Sequence, residues 1–108
     1  MKLVELVKHL KSVEEAERFV SKELLNVEFN SVEIYMVNDL NLNADIKFFD
    51  AESVPHGSEI EITGVQLINF LPLYMAQEMV EEYNMNLEGK MTDLEIAKAL
   101  LSYSINDA

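Results

Sequence analysis

The hydrophobic period of this chain changes twice, from 3.6 to 2 and back, and this pattern constrains the fold more than any single residue. Leu3, Val4, Leu6, Val7 and Leu10 recur at the i, i+3, i+4, i+7 spacing of an amphipathic helix, with Lys2, Glu5 and His9 on its polar side. Ser12-Val13-Glu14-Glu15 reads as a capping box: the serine oxygen takes a free first-turn amide and Glu15 reaches back to the cap. The spacing predicts a second helix over 13–25, with Ala16, Phe19, Val20, Leu24 and Leu25 inward. Glu14, Glu15 and Glu17 lie at its positive end, and Asn26 suits the left-handed residue that closes it.

From Val27 the period is 2. Val32, Ile34 and Met36 alternate with Glu33 and Tyr35, as in a half-buried strand. Val27 and Phe29 carry the opposite phase, so Asn30-Ser31 must be a bulge or a tight turn, because one extra residue sends every later side chain to the other face. Asn38 to Asn43 is a turn-forming loop. Ile46 and Phe48 then point one way, and Asp45, Lys47 and Phe49 the other. Pro55-His56-Gly57 reads as a turn. Glu59–Thr63 is a third strand, with Ile60 and Ile62 on the core face and Glu59, Glu61 and Thr63 on the other. Gly64 marks a bulge, since Val65 and Leu67 resume the alternation out of phase.

The last third is helical again. A long helix is predicted over 70–84, capped by Asn69, with Pro72 confined to its first turn. Phe70, Leu71, Leu73, Tyr74, Met75, Ala76, Met79, Val80 and Tyr83 cover most of its circumference, so it should be packed on more than one side. Gly89 closes the loop that follows. Thr92-Asp93-Leu94-Glu95 is a second capping box, and Leu94, Ile96, Ala97, Leu100 and Leu101 form the stripe of a final helix to about 103. Strands segregated from helices define an α+β class: two N-terminal helices, a three-stranded antiparallel sheet and two C-terminal helices, ααβββαα. No repeat, linker or low-complexity tract interrupts the 108 residues, which are read as a single acidic domain spanning 1–108.

Charge bounds the partners. Twenty acids against eight bases leave a formal charge of −12, which disfavours direct contact with nucleic acid or an anionic membrane. A helix-turn-helix reading of the first two helices fails for the same reason, since Glu14, Glu15 and Glu17 would meet the phosphates. The longest apolar stretch, near 67–76, is interrupted by Asn69 and Pro72 and falls short of the roughly 20 residues of a membrane span. Glu5, Lys8 and Lys11 break any secretory signal, and the chain has no cysteine, so a cytoplasmic location is expected. The acidity is uneven. Residues 1–26 hold five bases and five acids, whereas residues 27–108 hold fifteen acids and only Lys47, Lys90 and Lys98.

Two surfaces are therefore candidates for a positively charged partner. One is the sheet face carrying Glu33, Tyr35, Asp45, Lys47, Phe49, Glu59, Glu61 and Thr63, where acids would steer approach and the rings would anchor contact. The other is Glu78, Glu81 and Glu82, spaced i, i+3, i+4 near the C-terminal end of the long helix. Like charges at that spacing, near the negative end of the dipole, each cost a few tenths of a kcal/mol, so a basic partner, a cation, or Lys90 and Lys98 should neutralise them. Both surfaces also fit a simple solvated face.

Catalytic chemistry finds little support. His9 and His56 have no second ligand at metal-binding spacing, Ser58 lacks a nucleophile elbow, and Gly57, Gly64 and Gly89 are too scattered for a phosphate loop. Asp39–Asp50 resembles the calcium loop of EF-hand proteins over twelve residues, through Asp39, Asn41, Asn43, Asp45 and Asp50. It departs where Ala44 replaces the turn glycine and Asp50 the bidentate glutamate, and its flanks read as strands, so it is taken as an Asn/Asp-rich turn. No metal or cofactor is expected. The leading expectation is a non-enzymatic interaction domain binding a basic protein, as an inhibitor, immunity protein or adaptor does. Two alternatives stand beside it. One is a homodimeric structural subunit held by the apolar helix 70–84. The other is a small-molecule-binding or catalytic domain, which requires a pocket containing groups such as Glu78 or Tyr74.

Overall fold

A computed structural model describes residues 1–24, 26–53, 59–86 and 91–107. The fold is α+β. Helices α1 (Leu3–Val7) and α2 (Val13–Glu23) precede a 3-10 turn, Phe29–Ser31. Strands β1 (Val32–Val37), β2 (Ile46–Asp50), β3 (Glu59–Ile62) and β4 (Val65–Pro72) follow, and α3 (Leu73–Asn86) and α4 (Asp93–Asp107) complete the order. The sheet is antiparallel throughout, in the order β2-β1-β4-β3. The expected turns at Pro55-His56-Gly57 and Gly89, the inward Leu25, and His56 and Ser58 lie outside the described residues.

The N-terminal half forms as its pattern dictates. Leu3, Leu6, Val7 and Leu10 are fully buried, and Ala16, Phe19 and Val20 of α2 are buried with them. Ser12 Oγ accepts the Glu15 N–H at 3.2 Å, which removes one orphan donor from the first turn of α2. Asn26 has φ 66°, the left-handed conformation a short polar residue tolerates. Asn30-Ser31 forms a tight turn, and no strand spans 27–29. At the other end, Thr92 Oγ accepts the Glu95 N–H at 3.1 Å and Glu95 Oε1 accepts the Thr92 N–H at 2.9 Å, a complete capping box. Ile96, Ala97 and Leu100 are buried, but Leu94 at the second position of α4 is exposed.

Among the described residues the sheet has four strands, not three. Residues 65–72 form β4, so α3 begins at Leu73, and Asn69 is a ladder residue opposite Tyr35 instead of a cap. Thr63 and Gly64, at φ 50° and 82°, make the two-residue turn between β3 and β4, so Gly64 is not a bulge. β4 is interior, and from Leu67 to Pro72 it is buried or half-buried on both faces; such a stretch reads as a near-continuous apolar run, which resembles a buried helix in sequence.

The bulge lies further along. Opposite β1 the register passes from Ile34↔Leu71 to Tyr35↔Asn69, so Phe70 is an extra residue on β4. Phe70 and Leu71, consecutive in sequence, both enter the helix-side core with Val32, Ile34, Met36 and Ile46. Full burial of side chains this large contributes roughly 1.5–3 kcal/mol each. The phase shift sends Leu67 to the opposite face and its neighbour Ile60 with it. Ile60 and Ile62 therefore leave the main core and join Tyr35 and Leu67 in a second cluster, packed with Val37 and Phe49.

All four helices lie on one side of the sheet. Phe19 of α2 meets Phe48 of β2 edge-on, with ring centroids 5.6 Å apart. Gln77 of α3, 1% exposed, donates from Nε2 to the Leu10 carbonyl at 3.4 Å. Lys11 pairs with Asp93 at 2.8 Å and ties the α1–α2 turn to the start of α4. Among the described residues, no helix is long and apolar enough to cross a membrane.

Candidate interaction surface

The register divides the expected acidic sheet face. Glu33 and Phe49 are paired neighbours on the outer face, the side away from the helices, together with Tyr35, Lys47 and Asn69. Asn69 Nδ2 donates to Glu33 Oε2 at 3.3 Å, which holds this carboxylate over the sheet. Tyr35 is only 2% exposed and meets Phe49 edge-on at 5.5 Å. Its ring supports the half-buried Phe49 and offers no anchor of its own. Glu59 stands opposite Ile68, which stands opposite Met36, so Glu59 and Glu61 project on the helix side. The expectation that they share a face with Glu33, Tyr35 and Phe49 is corrected by the Phe70 bulge, one residue being enough to reverse the phase of β4 and β3.

Glu59 and Glu61 are exposed on the terminal strand of the sheet, with Gln66 Nε2 donating to Glu59 Oε2 at 3.1 Å. On α3, Leu73, Ala76, Gln77 and Val80 form the buried stripe, while Tyr74, Glu78, Glu82 and Met85 are exposed and Glu81 is half-buried. Met75, Met79 and Tyr83 pack partly buried against the chain's own core. Exposed apolar surface on the described part of α3 thus reduces to Tyr74 and Met85, the latter 68% exposed.

Cations are sparse around these acids. Among the described residues, the ion pairs are Lys2–Asp45 and Lys11–Asp93, both at 2.8 Å. Glu33, Glu59, Glu61, Glu78, Glu81 and Glu82 have no cation at ion-pair distance among those residues, Lys98 included. Lys90, the other expected neutraliser, lies outside them. The Lys2 ammonium, hydrogen-bonded to Asp45, holds that carboxyl below the usual aspartate range. The Thr92 backbone N–H, with its hydroxyl, does the same for Glu95.

The Asp39–Asp45 loop uses its polar atoms internally. Asn41 Oδ1 accepts the Asn43 N–H at 2.8 Å, an Asx turn, and Asp39 Oδ1 accepts the N–H of the adjacent Leu40 at 2.9 Å. Lys2 Nζ donates to the Asn43 carbonyl and to Asp45 Oδ1, at 2.7 and 2.8 Å. Among the described residues, no group of three or more His, Asp or Glu side chains is placed to hold a metal ion. A cleft of about 320 Å³ lies beside α2, lined by His9, Arg18, Phe19 and Lys22 with Glu15 and Glu23. His9 stacks on Phe19 at 4.7 Å within it. Neither Glu78 nor Tyr74 lines this cleft, and its charges are mixed in sign.

Searches against known protein families, curated proteins and solved structures found no match for this chain. The geometry defines a two-layer α+β protein with an acidic, cation-poor rim.

Proposed function

We propose that this chain is a non-enzymatic, cytoplasmic interaction domain that binds a basic protein through its acidic residues, in the manner of an inhibitor, immunity protein or adaptor. The observation that carries the reading is the set of exposed glutamates without a cation partner among the described residues: Glu59 and Glu61 on β3, and Glu78 and Glu82 on α3. Carboxylates left uncompensated raise the local negative potential, which speeds encounter with a cationic surface and rejects anionic ones. Glu78, Glu81 and Glu82 repel one another, so a basic partner relieves a cost already present in the free domain.

The homodimer reading draws less support, because Met75, Met79 and Tyr83 pack inward and leave two exposed apolar side chains on the described part of α3. The small-molecule reading draws less support as well, because the cleft beside α2 is of mixed charge and lies away from Glu78 and Tyr74.

The test is capture from source lysate on the immobilised chain, followed by a salt step and mass spectrometry. A basic protein released by raised salt, and lost on the E78K/E82K double variant, is the expected result. Partners that are acidic, or that resist salt, would overturn the electrostatic reading. Light scattering decides the alternative: a salt-insensitive dimer would favour the homodimeric subunit.

A further inference from the structure

We infer that the outer edge of β3 is a strand-addition site for an extended segment of a partner protein in which basic and apolar residues alternate; this rests on, and makes specific, the basic-partner reading above.

The edge is defined by the turn. Thr63 and Gly64 both have positive φ and Ile62 pairs with Val65, as in a two-residue hairpin whose flanking residues exchange their backbone hydrogen bonds. Bonding alternates along an antiparallel ladder, so Ile60 also faces β4, while the N–H and C=O groups of Glu59 and Glu61 point away from it. β3 ends the sheet, and no backbone group among the described residues bonds to that outer side. The opposite edge differs: the N–H of Ile46 on β2 donates to the Met1 carbonyl at 3.0 Å, so the N-terminus occupies part of it.

The two faces of this edge have different chemistry. Glu59 and Glu61 project on the helix side, both exposed. Ile60 and Ile62 project on the outer face, where they continue the Tyr35 and Leu67 cluster out to Val65, which is 40% exposed. A strand laid along β3 would place every second side chain beside the two carboxylates and the intervening ones beside the isoleucines. Directly opposed residues on neighbouring strands stand about 4.5–5.5 Å apart, close enough for lysine or arginine to pair with each glutamate. Main-chain bonds would supply affinity and the alternation specificity, as in other strand-addition complexes.

A second copy of the chain does not fit. In the pairing that keeps both apolar clusters on one side, glutamate meets glutamate, and like charges directly opposed are destabilising. The same glutamates protect the edge against neutral or acidic strands, so it is selective for basic ones.

The experiment uses the full chain, labelled with ¹⁵N and titrated at low ionic strength with a synthetic peptide of alternating lysine and valine. A second peptide is identical but N-methylated at alternate residues, which keeps its charge and side chains and removes its ability to extend a sheet. The expected result is shifted resonances over Glu59–Ile62, slowed exchange of the Glu59 and Glu61 amides, and affinity reduced by about tenfold or more on N-methylation. E59K and E61K should each weaken the unmodified peptide, with folding confirmed from the unperturbed spectrum of the core. Equal binding of the methylated peptide, or shifts confined to Glu78–Glu82, would overturn strand addition and leave the basic-partner reading intact. Failure of both peptides to bind would overturn both.

Discussion

The hydroxyl of Ser104 on α4 donates to the backbone carbonyl of Phe70 on β4 at 3.0 Å, and both groups are buried. The bulge puts two β4 residues, Phe70 and Leu71, against Ile34 alone and breaks the regular ladder at that point. A hydroxyl from the helix layer thus meets the carbonyl of the extra residue. Leu100, one turn earlier on α4, is fully buried in the same core.

Ser104→Ala removes the donor and leaves a buried carbonyl unpaired. Such a group costs about 1–3 kcal/mol, and urea unfolding should show a loss of that size with an unchanged m-value. A loss below about 0.5 kcal/mol would mean that the carbonyl finds another donor.

Thr63 is a β-branched residue held at φ 50° in the β3–β4 turn, where asparagine followed by glycine is the favoured pair. Its Oγ1 donates to the Ile62 carbonyl at 2.7 Å, which offsets part of the strain. Thr63→Asn should stabilise the protein by roughly 0.5–1 kcal/mol, seen as a higher denaturation midpoint. Destabilisation would show that the Thr63 hydroxyl contributes more than its backbone conformation costs.

Asp45 and Glu95 both have carboxyls held below their ordinary ranges, by Lys2 and by the Thr92 N–H respectively. A group whose folded pKa is depressed binds fewer protons folded than unfolded, so stability rises with pH across the interval between the two values. The contribution is complete above the unfolded value, about 4, and disappears as pH falls through the folded one. Wild type and the E95Q variant should therefore differ in stability at neutral pH and converge in acid. The D45N difference should also shrink with added salt, because its pair with Lys2 is exposed. A difference that grew in acid would reverse the sign and refute the assignment.

Glu78 and Glu82 share one exposed stripe of α3, one turn apart. E78K/E82K relieves like-charge repulsion and suits the negative end of the dipole, so stability should rise by a few tenths of a kcal/mol. Binding to a basic partner should fall at the same time. Calorimetric unfolding and a binding titration on the same preparation separate the two effects, and loss of both together would mark a folding defect instead.

The starts of α2 and α4 and most of their buried stripes were legible, whereas the start of α3 was not, Asn69 being a strand residue and not its cap. Ser12 and Thr92 cap where their spacing places them, and Leu3, Leu6, Val7, Ala16, Phe19, Ile96 and Leu100 bury as their period requires, because helix caps and stripes depend on neighbours within four residues. β4 was not legible. An interior strand loses the alternation that distinguishes a strand, and Phe70-Leu71 followed by Leu73 imitates a helix stripe. The candidate site was half legible for the same reason. Glu78 and Glu82 follow from local spacing and are exposed as expected, whereas the facing of Glu59 and Glu61 depends on a bulge in β4, the strand that lies between β1 and β3.

The sequence alone determines the α+β class, the starts of α2 and α4 at Ser12 and Thr92, the phase of β1 and the concentration of acids after residue 26, since each depends on spacing or on a sum of charges. Only the tertiary structure decided the strand order β2-β1-β4-β3, the second apolar cluster around Tyr35 and Leu67, and the separation of Glu59 and Glu61 from Glu33. The physical reason is that strand facing has a period of two. A single inserted residue, Phe70, reverses every side chain beyond it, and whether it is inserted depends on partners such as Ile34 and Ser104 that are remote in the chain.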